Sequence, residues 1–425
     1  MTAALNYHKR RHAARTTDEF LFHQLVPYLG NKRRLLPLIL SALQQTGTLQ
    51  DGPRQRAPIF LDLFAGSGVV ARLARQRGYQ VVANDWEPYS FALSHAVLSC
   101  QHAPAFAALG GYAQALQTLN ALAPVEGWVT QTFCPQQDHL YDPKQDRLFF
   151  KRHNGMRLDA IREQIGLWQV AGLIDPLEMS ALLGPLLYSA SFVSNTSGLF
   201  KSFHQGWGGK TGTALDRIES MLWLTPSLFH ASPIQGEMWC VDAAHLSQQL
   251  SDVEVDVAYL DPPYNQHAYG SNYHVLNALT LWACPDMPPP SQSGYKGGID
   301  RSWRRERPSA YNSGKRATLA YQQLIATLNA RFILTSYSTD GNIDLTDLLA
   351  ANVGRGRVTL VTQDVPRYRV SRQRQSARAR TLEFIVVTDT HAPCGPSVDL
   401  LLEQLRHFAA LGGVEQRHAL VMPSE

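Results

Sequence analysis

Apolar and polar positions in the first hundred residues follow a strand–helix–strand order. The apolar run 58–61 predicts a buried strand, and Gly66 and Gly68 predict a tight turn after it. The pattern of 69–76 predicts a helix, and 79–83 is a second β-type run. Strand, glycine-rich turn, helix and strand make a βαβ unit, which predicts an α/β protein with a parallel sheet.

The same rhythm returns after a long interruption. Residues 95–235 mix helical stretches at 158–173 and 178–193 with a Gly- and Ser-rich loop at 204–213, and we predict that they form an inserted lobe. Residues 284–316 are rich in Pro, Gly, Ser and Arg and predict a long loop. Further elements are predicted as strands at 238–241, 255–260, 331–337 and 382–388, and as helices at 35–43 and 398–410.

Composition narrows the class of protein. Of the 425 residues, 44% are hydrophobic and 17% are charged, which is enough apolar material for a large core. No apolar run approaches the ~20 residues of a membrane span, and the basic first segment lacks the apolar stretch of a secretory signal. The five cysteines are far apart and form no Cys-x-x-Cys pair, which argues against a disulfide framework and a zinc site. We therefore expect a soluble cytoplasmic protein.

Positive charge is concentrated in three segments, although the formal net charge is only +4. Residues 1–15 carry +4, residues 301–316 carry +5 and residues 367–380 carry +6, so the rest of the chain is acidic. Basic segments on an acidic body indicate a polyanionic partner such as nucleic acid. Any single run can equally be a solvated face of the protein.

The first candidate site is the loop Asp-Leu-Phe-Ala-Gly-Ser-Gly. The strand before it ends in Asp62, and Gly66 and Gly68 let the backbone approach a ligand at a helix N-terminus. Asp85 follows the next strand, where an acid typically binds ribose hydroxyls. Gly66-x-Gly68-x-x-Ala71 also fits a dinucleotide fingerprint, so a nicotinamide or flavin enzyme stays open.

The second candidate site is Asp261-Pro262-Pro263-Tyr264, directly after the apolar run 255–260. The prolines fix φ and remove backbone donors, which leaves carbonyl groups and the Asp261 carboxylate as acceptors. Two acceptors beside an aromatic ring suit a planar group that carries an NH2, such as the edge of a nucleobase. The simpler alternative is a proline-stiffened turn with a surface tyrosine.

At these residues the sequence resembles the amino-methylating DNA methyltransferases. DLFAGSG (62–68) is similar to their motif I for S-adenosylmethionine, and DPPY (261–264) is similar to their catalytic motif IV. YLGNKRRLL (28–36) resembles the motif that precedes motif I in the Dam-like α group of N6-adenine enzymes, although Asn31 stands where many relatives have Gly or Ser. The resemblance covers most of 21–390. It implies a Rossmann-like, S-adenosylmethionine-dependent methyltransferase fold with a large inserted target-recognition lobe.

The resemblance also implies domain boundaries. The α group places target recognition between its cofactor motifs and DPPY, which fits the predicted lobe. The implied parts are a basic extension at 1–20, a catalytic domain at 21–94 and 236–390, a DNA-binding insertion at 95–235 and a helical extension at 391–425.

By the roles of the family, the Asp261 carboxylate and the Pro262 carbonyl would accept hydrogen bonds from the target amine, and Tyr264 would stack on the base. Asp242 is implied to hold the adenine edge of the cofactor, with a helix N-cap as its alternative. Lys32 is implied to close the pocket, with a solvated surface lysine as its alternative. The full implied cofactor set is Tyr28, Lys32, Asp62, Phe64, Ala65, Gly66, Gly68, Asp85, Trp86, Asp242 and Asp261. The sequence suggests no metal ligands.

DNA contacts are expected from the insertion and from the basic segments, since lysine, arginine and asparagine side chains suit phosphates and base edges. The candidates are Asn195, Lys201, Lys210, Arg304, Arg305, Arg372 and Arg374.

The leading hypothesis is methyl transfer to N6 of an adenine flipped out of duplex DNA. The first alternative is the same fold acting on N4 of cytosine. An RNA or protein-glutamine methyltransferase, a DNA-binding regulator without activity and a dehydrogenase also stay open. A cognate restriction endonuclease on a separate chain is a further open partner.

Overall fold

A computed structural model describes residues 19–49, 56–142, 144–264, 266, 268–287, 303, 306–366 and 380–410. Its centre is one sheet. The strands are β1 (Ile59–Asp62), β2 (Gln80–Asn84), β3 (Glu237–Trp239), β4 (Val255–Leu260), β5 (Ala330–Ser338), β6 (Arg357–Pro366) and β7 (Arg380–Asp389). Their order in the sheet is β3-β2-β1-β4-β5-β7-β6, so the predicted α/β class is confirmed.

The sheet is mostly parallel. Strands β1 to β5 pair in parallel, while β7 runs antiparallel between β5 and β6. Parallel strands end at a common edge, which we call the carboxyl edge, so the loops after β1, β2 and β4 are neighbours there. The antiparallel β7 starts where the parallel strands end, and its first residues therefore lie near the same edge.

Helices connect the strands and fill the segment between β2 and β3. They are α1 (Glu19–Phe22), α2 (Leu36–Gln45), α3 (Val69–Gln76), α4 (Pro88–Ser99), α5 (Tyr112–Ala121), α6 (Trp128–Phe133), α7 (Arg152–Val170), α8 (Pro176–Val193), α9 (Leu215–Glu219), α10 (Ala243–Gln249), α11 (Tyr269–Asn272), α12 (His274–Leu281), α13 (Gly314–Thr327), α14 (Leu345–Val353) and α15 (Val398–Ala410). Among the residues described, no helix has the length and apolar character needed to cross a membrane.

Most predicted elements are found within a few residues of their expected bounds. The helix predicted at 69–76 is α3, and the helix predicted at 398–410 is α15. The prediction missed β6, because this strand lies at the edge of the sheet and pairs only with β7 among the described strands. The predicted loop 284–316 is also too long at its C-terminal end, because α13 begins at Gly314.

Apolar side chains form three clusters. One lies between the sheet and helices α2 and α3, and another lies on the opposite face under α10, α13, α14 and α15. The third is built mainly from α4 to α8 together with α12, and Phe149, Leu182 and Leu187 are fully buried in it. The long segment between β2 and β3 therefore contributes most of a core of its own, while its separation as a lobe stays a prediction.

Buried arginines fix the loops around these clusters. Arg75 donates to the main-chain carbonyls of Cys100 and Ile234, and Arg162 donates to that of Leu279. Burial lowers the pKa of Arg162 to about 10. A buried cation costs free energy unless its donors find acceptors, so these carbonyl contacts, which satisfy part of each guanidinium, hold the loops in one arrangement.

The first turn of α8 gives a stability test. The Asp175 side chain accepts from the backbone N–H groups of Leu177 and Glu178, and Glu178 accepts from the backbone of Asp175, which is a capping box. Asp175→Ala should lower the free energy of unfolding by about 1 kcal/mol, the usual value of an N-cap. Denaturant unfolding followed by circular dichroism measures this. The exposed Asp252 is the matched control, and Asp252→Ala should change stability by less than about 0.5 kcal/mol. Equal effects of the two variants would contradict the capping role.

Candidate active site

The glycine loop after β1 is held in one conformation. Gly66 and Gly68 have φ values of +53° and +76°, which favour glycine because a side chain is strained there. The Gly66 N–H donates to Asp85 Oδ2 over 2.7 Å, and the Ser90 hydroxyl donates to the Gly66 carbonyl over 2.6 Å. The loop is thereby tied to β2 and α4, and it opens at the carboxyl edge.

Asp62 brings an unsatisfied carboxyl oxygen to this loop. The residue is 1% exposed, and its Oδ1 accepts from the Phe64 N–H over 3.3 Å. Its Oδ2 is buried and has no hydrogen-bond partner among the described residues. Burial, helped by the charge of Asp261, raises the pKa of Asp62. A buried oxygen left in this way is a place where a ligand donor can bind.

The side chains that follow Asp62 lie in the same glycine loop and pack against its neighbours. Phe64 packs edge-on against Tyr311 with 5.2 Å between ring centroids. Ala65 is buried, and its N–H donates to the carbonyl of Asn84 over 2.8 Å. The predicted residues Asp62, Phe64 and Ala65 are therefore brought together with the end of β2.

Asp85 mainly fixes the loop. Its Oδ2 accepts from Gly66, and its Oδ1 accepts from the Glu87 N–H over 2.9 Å. Burial raises the pKa of Asp85 to about 6, although these hydrogen bonds oppose the shift. A carboxylate has about four acceptor sites, so the two oxygens keep capacity for a ligand hydroxyl.

A cluster of side chains beside Asp85 was not predicted from the sequence. Glu87 is buried and accepts from Asn277 Nδ2 over 2.6 Å and from Trp303 Nε1 over 3.3 Å. Burial raises the pKa of Glu87 to about 7. The Arg307 guanidinium lies 5.3 Å from the ring of Trp86 and 5.1 Å from the ring of Trp303. No pattern in the predicted loop 284–316 indicated that Arg307 packs on the ring of Trp86.

The DPPY loop carries a buried ion pair. Lys32 Nζ lies 2.8 Å from Asp261 Oδ1 and donates to Tyr264 Oη over 2.9 Å. Lys32 is only 5% exposed, so the alternative of a solvated surface lysine is wrong. Burial raises the pKa of Asp261, and the Lys32 charge opposes the shift. Pro262 is buried and Pro263 is half-buried, which makes this a stiff part of the site wall and excludes a freely exposed turn.

Tyrosine side chains join the segment before α2 to the segment after DPPY. The Tyr28 ring stacks on Tyr269 and Tyr273 with 5.3 Å between centroids in each case. Tyr269 Oη donates to the Leu29 carbonyl, and the Leu29 N–H donates to Tyr273 Oη. A Cβ at Gly66 would lie 2.8 Å from the Tyr28 ring, so this ring covers the glycine loop. The three motifs therefore meet in one place.

Other predicted residues have different positions. Asp242 is exposed and is the N-cap of α10, where its Oδ1 accepts from the Ala244 N–H over 2.9 Å. The alternative of an N-cap is therefore confirmed, and a contact with the cofactor stays a prediction. No group of three or more His, Cys, Asp or Glu side chains that could hold a metal ion occurs in the described part of the chain.

The expected DNA contact at Asn195 is corrected by the structure. Asn195 is fully buried, and its amide donates to the carbonyls of His204 and Gly206 and accepts from the Gly208 N–H. Its polar atoms are thus used to hold the loop that carries Lys201 and the exposed Lys210. Arg304, Arg305, Arg372 and Arg374 lie outside the described residues.

Comparisons with known proteins agree on one family. Residues 28–285 match the family of D12 class N6 adenine-specific DNA methyltransferases. The chain is 28% identical over 365 residues to the type II methyltransferase M.NlaIII of Neisseria lactamica, which is 85% of this chain and 98% of that protein. It is 27% identical over 344 residues to the type II methyltransferase M.CviAII of Paramecium bursaria Chlorella virus 1, covering 81% and 93%. It is 29% identical over 329 residues to the modification methylase StsI of Streptococcus sanguinis, covering 76% of this chain and 46% of that protein.

Gly66 gives a test of the packed loop, with Gly78 as its control. Both have positive φ, but a Cβ at Gly78 meets nothing within 4 Å, whereas one at Gly66 meets Tyr28. Both alanine variants carry the backbone strain, and Gly66→Ala adds a steric overlap that should cost about 1–3 kcal/mol more. Denaturant unfolding of the two variants measures the difference. Equal losses would mean that the Tyr28 ring does not rest on Gly66.

Proposed function

This chain belongs to the D12 class N6 adenine-specific DNA methyltransferase family. On that premise we propose that the residues at its carboxyl edge catalyse transfer of a methyl group from S-adenosylmethionine to a flipped-out adenine. The chain is an adenine-specific DNA methyltransferase, so the alternatives of cytosine N4, RNA or protein substrates, binding without activity and hydride transfer lose their support. The observation that carries the proposal is the Lys32–Asp261 ion pair beside the glycine loop.

Methyl transfer to an exocyclic amine requires a better nucleophile than the free base offers, because the nitrogen lone pair is delocalised into the ring. Acceptors on both N–H groups draw the nitrogen toward a tetrahedral geometry and expose the lone pair. The Asp261 carboxylate and the Pro262 carbonyl are these acceptors. Their contribution is positioning and stabilisation of the positive charge that develops on nitrogen.

Lys32 gives the Asp261 carboxylate a fixed direction. The ammonium group occupies Oδ1, which leaves Oδ2 to accept from the target amine. Tyr264 is held by Lys32 at its hydroxyl and by the edge-on ring of Tyr337, 4.8 Å away between centroids. A ring restrained in this way is a suitable platform for stacking the flipped base, which leaves the duplex at a cost of a few kcal/mol.

The residues around the glycine loop suit S-adenosylmethionine, which when bound supplies an electrophilic methyl group on a sulfonium. The unpaired Asp62 Oδ2 suits the ammonium of its methionine part, and the positive φ of Gly66 and Gly68 allows close approach. Asp85 would accept from the ribose hydroxyls at its remaining acceptor sites. Trp86 and Asp242 would line the adenine side in this proposal, and the buried Nε1 of Trp86 has no partner among the described residues. Tyr28 and Lys32 would enclose the methionine end.

DNA recognition belongs to the insertion at 95–235 in this proposal. The buried Asn195 holds a loop that presents Lys201 and Lys210, and lysines suit contact with phosphates. The similar proteins are type II methyltransferases and a modification methylase. The proposal therefore includes a restriction endonuclease on a separate chain that cleaves the same DNA site when it is unmethylated.

Asp261→Asn tests the catalytic role. The amide keeps the shape of the side chain but loses the charge and presents a donor, so methylation should fall by about 10³-fold. Mass spectrometry of nucleosides from treated genomic DNA measures N6-methyladenine, and calorimetry with S-adenosylmethionine checks that the cofactor still binds. Asp252→Asn, at an exposed position, is the matched control. Full activity of Asp261→Asn, or N4-methylcytosine as the product, would refute the proposal.

Lys210→Ala tests the DNA-binding face. Loss of one phosphate contact should weaken binding to all sequences alike and reduce the salt dependence, log Kd against log salt, by about one unit of slope. Fluorescence anisotropy with a labelled duplex over a salt series measures it. Arg406→Ala, an exposed cation on α15, should leave the slope unchanged. The DNA-binding role of Lys210 fails if both variants behave alike.

A further inference from the structure

Glu383 lies on β7 and reaches the active site from a part of the chain that no motif marks. It is paired with Ser338, the last residue of β5, and therefore stands at the carboxyl edge. Side chains alternate along a strand, so Glu383 points to the same face as Ile385 and Val387. These two residues belong to the cluster that packs under α2. Lys32 enters the site from that side, just before α2.

The charges around Glu383 are those of the catalytic loop. The positive charge of Lys32 stabilises its carboxylate, whereas Asp261 and Asp340 repel it. The nearby Tyr264 hydroxyl also favours the ionised form of Glu383 and so lowers its pKa. Lys32 therefore lies within the field of two carboxylates, Asp261 on the DPPY loop and Glu383 on β7.

The burial of part of the Glu383 carboxyl group destabilises the folded state. Its Oε2 is buried and has no hydrogen-bond partner among the described residues. A buried, unsatisfied carboxyl oxygen destabilises a fold, and its presence beside the reacting groups calls for a functional explanation. A glutamine of the same shape would avoid the charge.

Resting on the proposed methyl transfer, we propose that Glu383 is a positioning residue of the active site. Its carboxylate attracts the Lys32 ammonium and the Tyr264 hydroxyl from the β7 side, while the ion pair of Lys32 is with Asp261. Lys32 then stays on Asp261 Oδ1, and Oδ2 faces the target amine. Glu383 itself contacts neither the base nor the cofactor in this arrangement, and it acts through Lys32 and Tyr264.

The positioning depends on ionisation. Burial raises the pKa of Glu383 from 4.5 to about 7, and Lys32 opposes the shift. The carboxyl group is therefore mostly neutral at pH 6 and mostly ionised at pH 8. Because only the ionised form attracts Lys32, methylation should speed up across this range. Asp85 and Glu87 also titrate near neutrality, so the effect of Glu383 must be taken from the ratio of wild type to a Glu383 variant.

The test is single-turnover methylation of duplex DNA by wild type and Glu383→Gln at saturating S-adenosylmethionine. The variant should be about tenfold slower at pH 8.5 and within about twofold of wild type at pH 6, as expected for the loss of a charged contact. The KM for S-adenosylmethionine should change less than the rate. Glu403→Gln, an exposed position on α15, is the matched control and should follow wild type. A ratio that stays constant with pH, or no loss of rate, would overturn the proposal.

Thermal unfolding gives a second readout that needs no activity. An acid whose pKa is raised by folding favours the folded state at low pH and loses that advantage as pH rises through the folded value. Relative to wild type, Glu383→Gln should therefore be more stable at pH 8 than at pH 5. An absence of N6-methyladenine with wild type would refute the proposed function, while the unfolding shift would still report on Glu383. An unchanged difference in stability between the two pH values would refute ionisation of Glu383 and with it the positioning role.

Discussion

The ion pair between Lys32 and Asp261 is the contact on which the site depends. It joins the segment before α2 to the loop after β4, and both partners are shielded from solvent. A buried pair is favourable only when its remaining donors and acceptors are also satisfied. Tyr264 accepts a further hydrogen bond from Lys32, and the stacked Tyr28 and Tyr273 hold the loop that delivers Lys32.

The carboxyl edge holds more carboxyl groups near Lys32 than the single charge of its ammonium can neutralise. Asp62, Asp85, Glu87 and Glu383 are all buried enough for their pKa values to rise. Burial is the main cause of these shifts, and wherever the carboxyl groups are ionised they create a field that favours positive charge. Such a field suits a cationic methyl donor and a target amine that becomes positive during transfer.

The parallel sheet is what brings these groups together. Loops after β1, β2 and β4 share an edge because these strands run in the same direction, and β7 adds Glu383 because it runs the other way. The sequence pattern predicted β1, β2 and β4, since each is a short apolar run that ends in a motif. It missed β6, whose mixed polar pattern reflects an edge position, and the folded end of the loop at Trp303 and Arg307.

The sequence alone determined the chemistry that is encoded locally. The glycine loop and DPPY can each be recognised from a few neighbouring residues. In both, the strand, the turn and the functional groups are adjacent in the sequence. Only the tertiary structure decided which groups meet. Lys32 and Tyr264 are 232 residues apart, Glu383 carries no motif, and Asn195 resembles a surface contact but is buried. The pairing, burial and ionisation of these groups depend on neighbours that are distant in the chain, and no local pattern records them.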